Sequence, residues 1–229
     1  MDQAGNLYVG DGSGNVLELS LSGGVWTERV IYSGASSYAG LTMDASGNIF
    51  GVTLKSVFEL SSNRHGDWIS HRVHTFAGAP KDGSSAEGAP VLDQAGNLYG
   101  MTANGGTENF GTVYQLSLGE NGKWTETILH SFEGGQADGS QPWGTIAFDA
   151  AGNIYGTTEI GGKYGDGTVF ELVAPVGVGS YQEKVLWSFD RTDGSQPYVG
   201  LILDSVGSLY GTTSSGGSNG YGVVFEVTP

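Results

Sequence analysis

Four carboxylates stand at positions that the rest of the sequence does not repeat, namely Glu87, Glu108, Glu159 and Asp166. Two carboxyl groups in unlike surroundings can act as an acid and a base, and glycoside cleavage uses such a pair about 5 to 10 Å apart. These four residues are therefore the catalytic candidates if the chain is an enzyme. The sequence alone leaves the question of catalysis open.

A second set of carboxylates, Asp82, Asp138 and Asp193, recurs in the motif D-G-S-[QS]. Such a set could hold calcium or act with Glu87 as an acid and base pair. An aspartate followed by glycine in every copy is more typical of a turn, so repetition favours a structural role. Calcium stays an option, and no other cofactor is predicted.

The histidines do not predict a metal site. His71 and His74 lie three residues apart on a predicted strand, where side chains alternate between faces, so they are badly placed to bind one ion. His74 and His130 occupy the same repeat position, which indicates packing.

Aromatic residues recur six positions before a repeated aspartate, at Tyr38, Trp143 and Tyr198, and Glu87 takes that position in another unit. Aromatic rings can stack on sugar faces, and a carboxylate among them can accept sugar hydroxyls. In the alternative interpretation these side chains fill a central channel or pack between repeat units.

The elements that must position these residues come from a repeat. The motif D-x-x-G-[NS]-[LI]-[YF] begins at Asp2, Asp44, Asp93, Asp149 and Asp204, and spacings of 42, 49, 56 and 55 residues are typical of repeat architecture. Each unit alternates apolar and polar residues with period two over four strands, a to d, without a sustained helical period. This predicts an all-β fold, a β-propeller of about five four-stranded blades, in one domain over residues 1–229.

The first and last blades are predicted to be incomplete. Strands b and c occur five times, whereas strands a and d occur four times each, so the pattern predicts eighteen strands. Unpaired edge strands favour pairing with a second copy, and a dimer is therefore an option. A fragment of a longer repeat protein and a complete five-bladed ring stay open as alternatives.

Loop positions sort the candidate residues. The d–a and b–c loops of a blade emerge on one face, called the upper face here, which therefore carries the D-G-S motifs and three glycine pairs. Those pairs are Gly105 with Gly106, Gly161 with Gly162, and Gly216 with Gly217. The b–c connection is long in units three to five and short in units one and two, which predicts a cleft on this face.

Composition excludes some partners. The 229 residues include 41 glycines, and 24 acidic against 9 basic residues give a net charge of -15. Such an acidic, glycine-rich chain repels nucleic acid, and no segment has the apolar length for membrane insertion. The absence of cysteine excludes disulfides and a thiol nucleophile.

One segment of the chain carries a family resemblance. "SFEGGQADGSQPWGTIAFDAAGNIYGTTEIGGKYGDGTVFEL" resembles the GloVer-type tandem repeat of bacterial choice-of-anchor surface proteins. The resemblance covers three units well and the first two loosely, and it implies an extracellular, cell-surface protein of undefined activity. The chain departs from the family pattern because it shows neither an export signal nor a terminal anchor.

The sequence thus predicts an extracellular binding module for a carbohydrate or protein ligand. A glycan is the first ligand expected, bound at the upper-face channel mouth by Tyr38, Glu87, Trp143, Tyr198, Asp138 and Asp193. One alternative is a glycoside hydrolase or polysaccharide lyase that uses the unrepeated carboxylates. Another is a purely structural repeat segment of a surface protein.

Overall fold

The computed structural model describes residues 1–34 and 40–229, and all regular structure in these ranges is β. The strands form five antiparallel sheets in chain order. The first sheet contains β1 (Leu7–Gly10), β2 (Asn15–Ser22) and β3 (Val25–Ser33), and the second contains β4 (Thr42–Met43), β5 (Ile49–Thr53), β6 (Ser56–Ser62) and β7 (Trp68–Thr75).

The remaining three sheets follow the same order. The third contains β8 (Gly83–Ala86), β9 (Val91–Leu92), β10 (Leu98–Gly105), β11 (Thr112–Leu118) and β12 (Trp124–Ser131). The fourth contains β13 (Gly139–Phe148), β14 (Ile154–Gly161), β15 (Thr168–Val173) and β16 (Gln182–Ser188), and the fifth contains β17 (Ile202–Leu203), β18 (Leu209–Thr212) and β19 (Val224–Val227).

The repeated aspartate closes the turn between strands a and b, as predicted. Asp149 Oδ1 accepts the backbone N–H groups of Ala151 and Asn153 at 2.8 and 2.9 Å, and its Oδ2 accepts the Asn153 side-chain amide at 2.8 Å. The hydroxyl of Tyr155 donates to the same Oδ2 at 3.1 Å. One carboxylate therefore holds both the turn and the next strand, which explains why aspartate, asparagine and tyrosine recur together.

A glycine follows that tyrosine in strand b and makes room for an aromatic ring of strand c. Gly156 pairs with Phe170, and a Cβ at Gly156 would lie 2.6 Å from the Phe170 ring. Gly211 pairs in the same way with Phe225. The Y-G dipeptide is thus repeated because the aromatic ring of strand c occupies the space that a side chain at the strand b glycine would need.

The hydrophobic core lies between consecutive sheets. Phe76 of the second sheet packs with buried Tyr114 of the third, and Phe132 of the third packs with buried Phe170 of the fourth. Each of the four core clusters in the described residues combines side chains of two consecutive sheets, so every sheet buries a face against a neighbour.

The inner strands of successive sheets approach closely at glycines. A Cβ on Gly88 would collide with the backbone carbonyl of Gly144, and a Cβ on Gly144 would lie 2.6 Å from the nitrogen of Gly200. These three glycines belong to the strand a regions of the third, fourth and fifth sheets. The strands that carry the aromatic candidates therefore lie side by side.

The predicted upper face is confirmed. Gly106 N–H donates to the Asp82 carbonyl at 2.9 Å, and Gly162 N–H donates to that of Asp138 at 2.8 Å, so glycine pairs and D-G-S loops are in contact. A further backbone bond joins neighbouring sheets, in which Gln196 N–H donates to the Asp166 carbonyl at 3.0 Å. Gln196 has a φ of +56°, which costs energy for a side chain other than glycine.

The strand count differs from the predicted eighteen, because strand a of the third sheet is divided into β8 and β9, which both pair with β10. The gap contains Gly88, against Gly144, and Pro90, which has no N–H to donate.

β1 and β19 are edge strands of their sheets. Pairing of these edges with a second copy stays a prediction. In the described residues, no helix combines the length and the apolar character required to cross a membrane.

Candidate functional site

A carboxylate joins two of the predicted aromatic residues at the upper end of the fourth and fifth sheets. Trp143 Nε1 donates to Glu159 Oε2 at 2.8 Å, and the Tyr198 hydroxyl donates to Glu159 Oε1 at 2.7 Å. The two rings lie edge to face with centroids 6.1 Å apart. The structure therefore brings together Trp143, Tyr198 and Glu159, which the sequence nominated for different reasons.

The elements of the repeat explain this arrangement. Trp143 lies on β13 and Tyr198 on the chain that leads into β17, and these two segments approach closely at Gly144 and Gly200. Glu159 lies on β14, two residues before the glycine pair. A side chain on strand b of the fourth sheet thus contacts the segment that leads into strand a of the fifth sheet.

The rings are accessible although their polar ends are engaged. Tyr198 is 40% exposed and Trp143 is half-buried. The hydrogen bond to Glu159, followed by partial burial and the charge of Glu159, raises the pKa of Tyr198 above its usual value. The hydroxyl is therefore a fixed donor, while part of each side-chain surface stays exposed.

A cavity of about 530 Å³ lies beside this cluster. Its wall includes Asp166 and Arg191, joined by a 2.9 Å bond from Arg191 Nε to Asp166 Oδ1, and Ser195, whose hydroxyl donates to the same oxygen at 3.1 Å. The Gln196 side chain lines the cavity and donates to Glu159 Oε1 at 3.4 Å. The volume falls within the usual range of ligand pockets, about 300 to 1,000 Å³.

Sequence reasoning missed Arg191 and Gln196. Gln196 follows Asp-Gly-Ser in the repeated motif, as Gln141 does in the preceding unit, so its position carries no signal that distinguishes it from a repeated residue. The available signal for Arg191 was its uncommon type, since the chain has only nine basic residues.

Glu87 does not join this cluster through any hydrogen bond found in the described residues. It is half-buried, and burial raises its pKa above the usual range. Its neighbour Gly88 touches Gly144, so the main chain at Glu87 lies next to that of Trp143. Glu108 is exposed in the b–c loop of the third sheet, and Tyr38 lies outside the described residues.

Asp138 lies beneath the upper-face surface and Asp193 is half-buried, and both residues hold turns. Asp138 is 8% exposed, and its oxygens accept the N–H groups of Gly139 at 2.6 Å and Glu133 at 2.8 Å. Asp193 accepts the Asp190 N–H at 3.0 Å and Trp187 Nε1 at 2.9 Å. The structural interpretation weighed for this motif accounts for every one of these bonds.

A second group of ionisable residues lies between the second and third sheets. His74, Asp82 and Glu126 place one possible ligand atom each within 4.8 Å of the others. The sequence placed His74 in packing contact, and it does lie edge to face on Phe76 with centroids 4.9 Å apart. Glu126 was not singled out, because the contact joins different repeat units.

A further cavity, of about 520 Å³, opens between the first and second sheets. Its lining includes Tyr32, Lys55, His71 and Arg72. It lies beside the short b–c connection of the second sheet, where the loop lengths predict open space.

These features define the class of the protein: an all-β repeat protein whose successive antiparallel sheets are arranged like those of β-propellers. The chain matches the Gloeobacter/Verrucomicrobia repeat over residues 56–229 and belongs to that family. The resemblance to GloVer-type repeats predicted from the sequence is thereby confirmed.

Solved structures are similar in fold. The chain superposes on a candidate gluconolactonase with a TM-score of 0.59 and 16% identity, covering 99% of this chain and 75% of that one. A gluconolactonase from Xanthomonas campestris gives 0.57 and 18% over 99% and 73%, and a streptogramin B lyase gives 0.58 and 15% over 100% and 66%. At these identities the likeness concerns the fold alone. No curated protein matches the chain.

Proposed function

We propose that the five sheets are blades of a β-propeller that acts as an extracellular binding module, with a glycan bound beside Trp143, Tyr198 and Glu159. The observation that carries the proposal is the Glu159 carboxylate, which fixes the polar ends of both aromatic side chains and leaves ring surface exposed. The resemblance to bacterial surface proteins supports the extracellular location.

The chemistry of the junction suits a sugar. Rings that are held rigidly lose little conformational entropy when a ligand stacks on them. Asp166, Ser195, Gln196 and Arg191 line the adjacent cavity and offer acceptors and donors for several hydroxyl groups. A flat apolar surface beside convergent polar groups is the pattern that a pyranose ring requires.

The test is binding of the purified chain to a panel of soluble polysaccharides and a glycan array. Trp143→Ala and Tyr198→Ala are each expected to weaken binding by about tenfold or more, because central aromatic contacts dominate such interfaces. Trp26→Ala is the matched control, since Trp26 is 49% exposed on the outer strand β3. Unchanged binding by both variants, or no ligand for the parent chain, contradicts the proposal.

A second candidate function is cleavage of a glycan by the carboxylates of the same face. Glu87 and Glu159 have unlike surroundings, since burial favours the protonated form of Glu87 whereas Glu159 accepts hydrogen bonds from Trp143 and Tyr198. This is the kind of difference that separates an acid from a base. Release of reducing ends by the parent chain, and its loss in Glu87→Gln or Glu159→Gln, would establish this function. Binding without turnover would exclude it.

A further inference from the structure

The interface between the second and third sheets collects three groups that can each donate an electron pair. His74 Nε2 lies 3.4 Å from Asp82 Oδ2 and 3.5 Å from Glu126 Oε1. The side chains come from β7, from the loop before β8 and from β12. Only 20%, 11% and 14% of the three side-chain surfaces are exposed, in the order His74, Asp82, Glu126.

Two of the three atoms have no partner of their own. His74 Nε2 and Glu126 Oε1 are buried and make no hydrogen bond within the described residues. An imidazole nitrogen that faces two carboxylates requires a proton or a cation between them, because buried negative charge is otherwise costly.

We propose that this interface is a binding site for a divalent transition-metal ion of the zinc type, with His74 Nε2 and carboxylate oxygens of Asp82 and Glu126 as its ligands. Donor atoms about 2.0 to 2.1 Å from a tetrahedral zinc ion lie about 3.3 to 3.4 Å from one another. The two separations at His74, 3.4 and 3.5 Å, are close to that spacing, and the three residues would leave a fourth position for a ligand from solvent.

The donor set selects the kind of metal. Calcium prefers six to eight oxygen ligands, and magnesium keeps most of its waters, whereas one imidazole and two carboxylates suit zinc and its neighbours in the first transition row. Asp82 is also held in place, since the backbone N–H of Ala77 donates to its Oδ2 at 2.6 Å. Such support from outside the ligand set orients a ligand before the metal arrives.

The repeat provides an internal check on this assignment. One position of strand d in a sheet varies together with a second position of strand d in the next sheet. Histidine at the first position is accompanied by glutamate at the second, and tyrosine at the first is accompanied by serine at the second. The pairs, aligned by their partners on strand c, are Tyr32 with Ser70, His74 with Glu126, and His130 with Glu183. Histidine and glutamate therefore occur together, as a shared ligand site requires.

Two other interfaces contain partial copies of the site. His130 Nε2 lies 3.2 Å from Asp138 Oδ2, and Glu183 Oε1 is likewise buried without a partner in the described part of the chain. At the next copy Trp187 replaces histidine and donates Nε1–H to Asp193 at 2.9 Å, which satisfies the carboxylate without a cation. Within residues 1–34 and 40–229, the His74 interface is the one at which all three ligand atoms converge.

The test is titration of the metal-free full chain with Zn²⁺ by calorimetry and with Co²⁺ by visible absorption, which reports tetrahedral coordination. The parent chain is expected to bind an equivalent of Zn²⁺ that displaces Co²⁺ and raises the melting temperature, with reversal by a chelator. His74→Gln and Glu126→Gln are each expected to weaken binding by more than about 100-fold, since even outer-shell partners contribute about 10- to 100-fold.

His71→Gln is the matched control, because His71 is exposed on the same strand, and it should keep the parent affinity. His130→Gln should retain the equivalent that His74→Gln loses. No binding by the parent chain would show that the interface holds a shared proton only and would overturn the proposal. Binding that persists in both His74→Gln and Glu126→Gln would place the ion elsewhere on the acidic surface and would also overturn it.

If a variant does not fold, as judged by circular dichroism, the parent chain still decides the question. In its nitrogen-15 NMR spectrum the ring resonances of one histidine are expected to shift on addition of Zn²⁺, and sequential assignment must identify that residue as His74. A shift at His65 or His71 alone would contradict the proposal.

Discussion

The junction between the third and fourth sheets and the junction between the fourth and fifth share one backbone and differ in their side chains. In the first, Gln141 N–H donates to the Phe110 carbonyl at 2.8 Å, and in the second, Gln196 N–H donates to that of Asp166 at 3.0 Å. Gln141 and Gln196 both have positive φ, at +54° and +56°. The bond and its strained donor therefore belong to the repeat.

The side chains at the two junctions have diverged. Ala103 stands in the third sheet where Glu159 stands in the fourth, and Phe110 stands where Asp166 stands. One junction is therefore apolar along this edge, whereas the other carries two carboxylates with bonded partners. The repeated residues determine the backbone path, and the residues that differ between repeats determine what a junction can bind.

The largest expected effect comes from breaking the turn that both junctions need. Asp138→Ala leaves the part-buried N–H of Glu133 and the buried N–H of Gly139 without an acceptor and should lower the free energy of unfolding by about 3 kcal/mol. Asp193→Ala at the second junction should cost about 1 kcal/mol, because its partners Asp190 and Trp187 are exposed. Urea unfolding measures both, and equal losses would show that burial does not set the difference.

The next effect tests the scaffold within one sheet of the pair. Gly156→Ala places a methyl group against the Phe170 ring and should destabilise the chain by about 2 kcal/mol, as overpacking commonly does. The double variant with Phe170→Leu should recover part of that loss in the same urea experiment. If the destabilisation caused by Phe170→Leu adds in full to that of Gly156→Ala, the side chains at these two positions do not compete for space.

The sequence predicted the parts of these junctions that are local or repeated. Alternation and the aspartate turns located the strands, and loop geometry placed Trp143 and Tyr198 on the face that carries Glu159. Contacts between units were harder, because His74 and Glu126 lie in different repeats and nothing local to either residue marks the pair. The break between β8 and β9 also depends on a neighbour, since Gly88 is pressed against Gly144.

A smaller effect sharpens the contrast between the junctions. Glu159→Gln replaces a charged acceptor by a neutral one of the same shape and should lower the free energy of unfolding by about 1 kcal/mol. It should also lower the pKa of Tyr198, because the bond to the carboxylate is the main reason that this pKa is raised. Absorbance titration of the tyrosines checks the shift by comparison with Glu108→Gln, which alters an exposed loop. An unchanged titration would mean that the hydroxyl does not meet Glu159 in solution.

The smallest effect concerns Glu87, the acidic counterpart of Trp143 and Tyr198. Burial raises its pKa in the folded chain above 4.5, so the folded state binds this proton more tightly than the unfolded state does. The stability linked to that proton is fully present below pH 4.5 and is lost as the pH rises through the folded pKa. Glu87→Gln removes the dependence, so the variant should melt above the parent at neutral pH, and the gap should close on acidification. A gap that is constant from acid to neutral pH would show that Glu87 is as well solvated as Glu108.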